Sequence, residues 1–440
     1  MTTSRRSLLK YSAGLAALSA IGRPAFAAAP TGPIRIGVLY DLSGPFAAAG
    51  SVASSIGAQI AIDLTNEKGG VLGKYKVEPV KGDSQSKADV AINEAERLIH
   101  QENCDIVLGV YSSAHAVPLA EKLNQEKKIL WITTAVATSV VKGKNLTYVF
   151  RATIHSDQYG EAGIKFLHEN AKAKLGMDPK DVKLSIIHED GPYGTGVSDA
   201  DVAFAKELGM PVAIREAYSA TSPDLSSLVT KLKRARGDVI IHAGYNPDIT
   251  LFLRQAREAG LRFKMLIGNG AGYSQIAKLR ETFKTDVDDF CDIDPVAAQI
   301  LDPKTLAPGM GELIKIMVDR YVKMSGSTDV PPHCSMGFNQ TWVLLQNVLP
   351  VAIQKYGGAD PEAIRKAALD VDIPAGGTIQ GYGVKFYPPG TPLAGQNERS
   401  TPVVMQYIPS MPQTAVVWPT NIRTADPVLP LPKSSPYAMS

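Results

Sequence analysis

One pattern constrains this 440-residue chain more than any other: an apolar run, a Gly/Ser/Pro loop and an amphipathic helix, repeated in series. The first copy, IRIGVLYDLSGPFAAAGSVASSIGAQIAIDLTNEKGGVLG, occupies residues 34–73. Residues 34–39 read as a buried strand. Residues 41–50 form the loop. From Ser51, apolar or small residues at Val52, Ala53, Ile56, Ile60 and Leu64 fit one face of a 3.6-residue period. Ser51 is the expected N-cap, and Gly69 and Gly70 the stop. A strand feeding a helix in this way opens a βα unit, whose ligands sit beyond the strand ends, where helix N-termini present free N–H groups.

The unit recurs. Strands are expected at residues 77–80, 106–110, 129–133, 182–188, 212–217, 239–243 and 265–267, with helices between them. The pattern pauses near Val149-Phe150-Arg151 and restarts. Two successive βα halves, residues 34–151 and 182–270, argue for an α/β fold of two similar lobes with a cleft between them. After Phe290 the alternation fades into three expected helices at residues 311–324, 336–351 and 360–369. Residues 376–440 are rich in Gly, Pro and aromatics and read as a hairpin or meander, with an extended surface tail after Pro419.

The N-terminus reads as an address. A basic start, an apolar run at residues 13–21 and Ala25-Phe26-Ala27 make an export signal over residues 1–27, too short in its apolar part to span a bilayer. Ser4-Arg5-Arg6-Ser7-Leu8-Leu9-Lys10 resembles a twin-arginine signal; the alternative is an ordinary secretory signal with two arginines. The mature chain is expected to start near Ala28, in the periplasm. Without the signal's Arg5, Arg6, Lys10 and Arg23, the net charge of +3 falls to about −1, which points to neither a nucleic acid nor a membrane surface. Three cysteines are too few for a disulfide scaffold; in an oxidising compartment Cys291 with Cys334 is the favoured pair.

Catalytic signatures are missing. Gly73-Lys74 lacks the first glycine and the Ser/Thr of a phosphate loop, and neither GxSxG nor HExxH occurs. The seven histidines are scattered. The acids Asp286, Asp288, Asp289, Asp292 and Asp294 do not have calcium-loop spacing and read as a solvated edge. No metal or cofactor is expected. What remains is a set of strand-end loops of one chemical type. Ser112 and Ser113 end the third strand, and Thr133, Thr134 and Thr138 surround the end of the fourth. Hydroxyls and free amides at helix starts suit a carboxylate. Tyr193 and Tyr245, at strand ends of the second half, are placed to wall an apolar ligand.

The segments IGVLYDLSGPFAAAG, GAQIAIDLTNEKGGVLG, VLGVYSSAHAVPLAEKL, YVFRATIHSDQYG and IIHEDGPYGTG resemble type I periplasmic solute-binding proteins of ABC importers, in particular the branched-chain amino-acid-binding (leucine/isoleucine/valine) group. The resemblance implies a mostly parallel sheet flanked by helices in each lobe, with three hinge crossovers. It divides the chain into lobe 1 (residues 31–151 and 296–380) and lobe 2 (residues 152–295 and 381–440). It also implies a monomer that binds a small amino acid or related carboxylate without chemistry and hands it to membrane permease subunits. Ser113, with Ser112 beside it, matches the position that holds the ligand carboxylate. Ala135 matches a backbone group facing it, and the next position falls on Ala137 or, with a one-residue slip, Thr138. Tyr193 and Tyr245 match aromatic positions, and Phe46 is placed to stack with them. One departure matters. The family's ammonium-pairing acid is missing from Gly268-Asn269-Gly270-Ala271-Gly272, which leaves Asp190 as a substitute, or an amine-free aromatic or aliphatic acid or amide as ligand. An exported α/β enzyme and a ligand-sensing module are the readings from other classes.

Overall fold

A computed structural model describes residues 29–411 and 414–439; the expected signal over residues 1–27 lies outside them. The first sheet is built from β1 (Ile34–Tyr40), β2 (Val77–Asp83), β3 (Ile106–Gly109), β4 (Ile129–Ile132) and β5 (Val149–Arg151). Its order is β2-β1-β3-β4-β5 and every pairing is parallel. Helices α1 (Val52–Glu67), α2 (Ala88–Glu96) and α3 (Ser113–Gln125) are its crossovers. Both sheet faces are covered, which is why β3 and β4 are buried at every position.

After β5 the chain passes to a second sheet. Helix α4 (Ser156–Asn170) leads into β6 (Leu184–Glu189), α5 (Pro192–Glu207), β7 (Val212–Tyr218), α6 (Ser226–Ala235) and β8 (Val239–Ala243). Next come α7 (Asn246–Glu258), β9 (Met265–Asn269), α8 (Ile276–Phe283) and β10 (Cys291–Asp294). A second passage returns the chain to the first sheet with α9 (Met310–Ser325), α10 (Pro332–Val343), α11 (Leu349–Tyr356) and α12 (Pro361–Leu369). A third delivers β11 (Val403–Gln406) and β12 (Ala415–Trp418), giving the order β12-β11-β10-β9-β8-β6-β7. The fold is therefore two-lobed, each lobe a mostly parallel sheet flanked by helices, with three crossings.

Several expectations are corrected. Ser51 does not cap α1: the helix starts earlier, through a wide turn over Ala47–Ser51 with Gly50 at φ 137°, and the Ser51 hydroxyl accepts the Asp41 N–H at 2.9 Å. The third crossing comes later than residue 381, because Val384 and Phe386 pack in the first-sheet core and Gln396 pairs with Arg151. Cys291 and Cys334 are free and lie in different cores, so they form no disulfide. The C-terminal tail is not confined to the surface. Tyr437 is fully buried and stacks on Phe263 with ring centroids 5.5 Å apart.

Helix α1 is buried on most sides because α10 crosses it in contact. A Cβ on Gly337 would lie 1.9 Å from the Ser54 carbonyl oxygen, so only glycine permits this approach. The crossing sets the start of α10 against the interlobe cleft.

Candidate functional site

The carboxyl ends of the two sheets face each other, and the N-termini of α3, α5, α7 and α10 converge between them. Ser113, Thr134, Tyr193, Tyr245, Asp294 and His333 line a single cavity there, of about 30 Å³. Helix N-termini carry partial positive charge, so this cleft favours an anionic group near Ser113.

The first-sheet wall is made of hydroxyls. Ser112 precedes α3, and its Oγ is buried without a hydrogen-bond partner. The Ser113 hydroxyl accepts the Ala137 N–H at 3.1 Å. Behind them Thr134 bonds Ser54 at 2.8 Å and Thr133 bonds Tyr40 at 2.8 Å, which fixes the strand end. Ser112, Phe46, Ala135 and Thr138 are not among the cavity-lining residues, although Ser112 and Phe46 adjoin Ser113 and Tyr245. The Ala135 N–H donates to the Val110 carbonyl, and its own carbonyl accepts from the buried Arg151 guanidinium. The Thr138 hydroxyl bonds Ser156 and donates to Asp157, both at 2.7 Å, and so clamps the start of α4.

Aromatic rings from both lobes meet in front of these hydroxyls. Phe46, from the first lobe, meets Tyr245 of the second with ring centroids 4.6 Å apart, and Tyr193 lies 5.5 Å from Tyr245. Two phenols are anchored: Tyr193 donates to the Asn269 carbonyl, and Tyr111 to the Ala49 carbonyl at 2.7 Å. His333 packs 5.4 Å from Tyr111, and burial pushes its pKa down to about 3, so it is neutral. These rings fill most of the space between the lobes.

The acid in the cleft comes from β10. This strand pairs with β9 on one side and β11 on the other, so Cys291 and Ile293 face one layer and Asp292 and Asp294 the other. Asp292 and Asp294 are thus buried, as is Asp289, and Asp286 and Asp288 are half-buried, so the five acids do not form a solvated edge. Asp294 accepts the Tyr159 hydroxyl on Oδ1 at 2.6 Å, while Oδ2 is buried without a partner. Burial pushes its pKa up to about 7, against the pull of the Tyr159 hydrogen bond. Asp190 is exposed and does not line the cavity. Its neighbour Glu189 turns inward, accepting the Gly191 and Gly194 N–H groups at 2.6 Å each at the start of α5. Tyr159, Asp294, His333 and Met336 were not singled out as site residues from sequence. For Asp294 the available signal was the apolar/acidic alternation of Cys291-Asp292-Ile293-Asp294.

Fold and site together define a two-lobed α/β receptor with a cleft between its sheets. The chain matches the periplasmic binding protein family over residues 33–381, and it belongs to that family. A relative from Brucella suis biovar 1 (strain 1330), described as Leu/Ile/Val-binding protein homolog 7, is 33% identical over 393 residues, covering 89% of this chain and 94% of the relative. The branched-chain amino acid transporter substrate-binding protein of Streptococcus pneumoniae, solved with isoleucine, superposes with a TM-score of 0.69 at 18% identity over 88% of this chain and 100% of that one. A solute-binding protein of R. palustris solved with 4-hydroxybenzoate gives a TM-score of 0.66 at 16% identity over 85% and 92%. Members of this family bind small ligands outside the cytoplasm and work with ABC transporter permeases. The homologues and the fold are those of solute-binding proteins rather than enzymes.

Proposed function

We propose that the chain is the periplasmic substrate-binding component of an ABC importer, exported by its N-terminal signal and matured near Ala28, and that its ligand is a small amino acid of the branched-chain type. The observation that carries this reading is the unpartnered Asp294 Oδ2 in the same cavity as Ser113. A buried carboxylate oxygen without a partner is costly, and a ligand ammonium would supply the missing donor. The ligand carboxylate would sit at the start of α3 on Ser112 and Ser113. Its side chain would lie against Tyr193, Tyr245 and Phe46, gaining roughly 25 cal/mol for each Å² of apolar surface buried. Ala135 and Thr138 hold the frame of the carboxylate seat, and Asp190 stays outside. Because the rings leave only about 30 Å³, the ligand enters an opened cleft, and the three crossings are the hinges. The closed form is then presented to the permease.

A second reading has one observation in its favour. A carboxyl raised to about 7 is substantially protonated at neutral pH, and a neutral acid tolerates an amine-free carboxylate beside it. Calorimetric titration of leucine, isoleucine and valine against 4-methylpentanoate and 4-hydroxybenzoate tests both. The amino acids are expected to bind and the amine-free acids to bind much more weakly. Equal or tighter binding of an amine-free acid would overturn the amino-acid assignment in favour of the second reading.

A further inference from the structure

Arg151, the last residue of β5, is fully buried, and its guanidinium pairs with no carboxylate. Its Nε donates to Gln396 Oε1 at 2.5 Å, and Nη1 donates to the Ala135 and Ala137 carbonyls at 3.2 and 2.7 Å, while Nη2 meets no acceptor. Asp157, the carboxylate whose charge it feels most, is bound to Lys142 at 3.0 Å and accepts the Thr138 hydroxyl at 2.7 Å. Burial pushes the Arg151 pKa down to about 9, which leaves it charged at neutral pH. A buried cation held only by neutral acceptors is costly, and an anion brought into its field recovers part of that cost.

The loop after β4 carries that field to the cleft. The Ala135 and Ala137 carbonyls flank the Val136–Ala137 peptide, whose N–H donates to the Ser113 hydroxyl at 3.1 Å, and Val136 lines the cavity beside Ser113. With standard backbone dimensions, Arg151 Nη1 lies within about 9 Å of Ser113 Oγ. No lysine or arginine lines the cavity itself. Lys278, on α8 of the second lobe, binds the Ala48 carbonyl across the cleft. The seat hydroxyls are neutral, so they hydrogen-bond a carboxamide as well as a carboxylate and do not tell the two apart. A unit charge about 10 Å away, at an effective dielectric constant of about 20, favours the carboxylate by roughly tenfold.

On the reading that the ligand carboxylate sits at Ser112 and Ser113, we propose that Arg151 is a positioning and specificity-determining residue of the cleft. It pins the loop behind Ser113 and, without touching the ligand, supplies the positive charge by which the seat selects a carboxylate over an uncharged group.

The readout is the affinity ratio of acid to amide, leucine against leucinamide and 4-methylpentanoate against 4-methylpentanamide, by calorimetry at pH 7.0. Wild type should prefer the acid in each pair that binds. Arg151→Met should lower the ratio by about tenfold, and Arg151→Lys, which keeps the charge, should hold it within about threefold. An Arg151 that only staples the loop would lower the melt and weaken acid and amide alike; an unchanged ratio in Arg151→Met would therefore overturn the proposal. Lys278→Gln should leave the ratio within about twofold, and a ratio that collapses there instead would assign the selecting charge to Lys278. Where Arg151→Met does not melt cooperatively, Gln396→Glu sets a carboxylate against Nε at the same side-chain length. It should lower the ratio several-fold, and an unchanged ratio would overturn the proposal equally. The two readings fail separately. If 4-methylpentanoate binds and leucine does not, the amino-acid assignment fails while the acid-to-amide ratio still tests Arg151. If Ser113→Ala weakens leucine but Arg151→Met keeps the ratio, the seat stands and the role of Arg151 falls.

Discussion

The two walls of the cleft differ in kind. The first-sheet wall is uncharged: it carries the hydroxyls of Ser112, Ser113 and Thr134, the rings of Phe46 and Tyr111, and a neutral His333. The second-sheet wall carries tyrosine rings and one buried carboxyl, Asp294. On the proposed assignment a zwitterion would suit both walls at once, its carboxylate at Ser112 and Ser113 and its ammonium at Asp294. It touches both only when the lobes are closed. On that assignment, the difference between the walls would supply the differential affinity by which a ligand drives closure, which a ligand satisfied by either wall alone would lack.

The comparison can be broken by pH. Asp294 is raised to about 7, so below that value it holds a proton that must leave before it pairs with an ammonium. Leucine affinity should therefore fall as pH falls, by about tenfold or more between pH 7 and pH 5.5, while 4-methylpentanoate shows no such loss from this wall. Titrations at three or four pH values in that range check this, and parallel profiles for the two ligands would remove Asp294 from the ligand's charge. Changing the first wall should act differently. Ser113→Ala should weaken both ligands alike, by roughly 1–3 kcal/mol, because each presents the same carboxylate. If calorimetry shows both affinities kept and only the melt lowered, Ser113 serves α3 and Ala137 rather than the ligand. The smallest effect is expected from Tyr159→Phe. It removes the hydroxyl that helps hold the Asp294 carboxylate, so the pH midpoint for leucine should move up, at about 1 kcal/mol in affinity near neutrality. An unmoved midpoint would show that Asp294 is not the titrating group.

The same contrast explains what was legible in the sequence. Residues of the first wall follow apolar runs that read directly as buried parallel strands, so the hydroxyl loops at Ser112 and Thr133 could be placed from the chain alone. The tyrosines at residues 193 and 245 were readable for the same reason. Strand β10 was not. It has four residues, two of them acids, and its burial comes from β9 before it and from β11, supplied more than a hundred residues later. An acidic segment surrounded by other acids looks solvated until its neighbours are known. Helix α4 was also missed. It contains Gly160, where a Cβ would lie 2.5 Å from the Ala200 carbonyl carbon, so close packing on α5 rather than local propensity sets this residue. The cysteine pairing failed because spacing along the chain says nothing about which core each thiol joins.

The central claim is that the charges of an amino acid are divided between the walls, with Asp294 taking the ammonium. The most direct measurement is the leucine to 4-methylpentanoate affinity ratio at pH 7.5 in wild type, Asp294→Asn and Asp190→Asn. Leucine should be strongly preferred by wild type and by Asp190→Asn. In Asp294→Asn the preference should collapse, with leucine losing about 3–5 kcal/mol, as when one partner of a buried ion pair is removed. A preference that survives in Asp294→Asn, or that disappears in Asp190→Asn instead, would contradict the account.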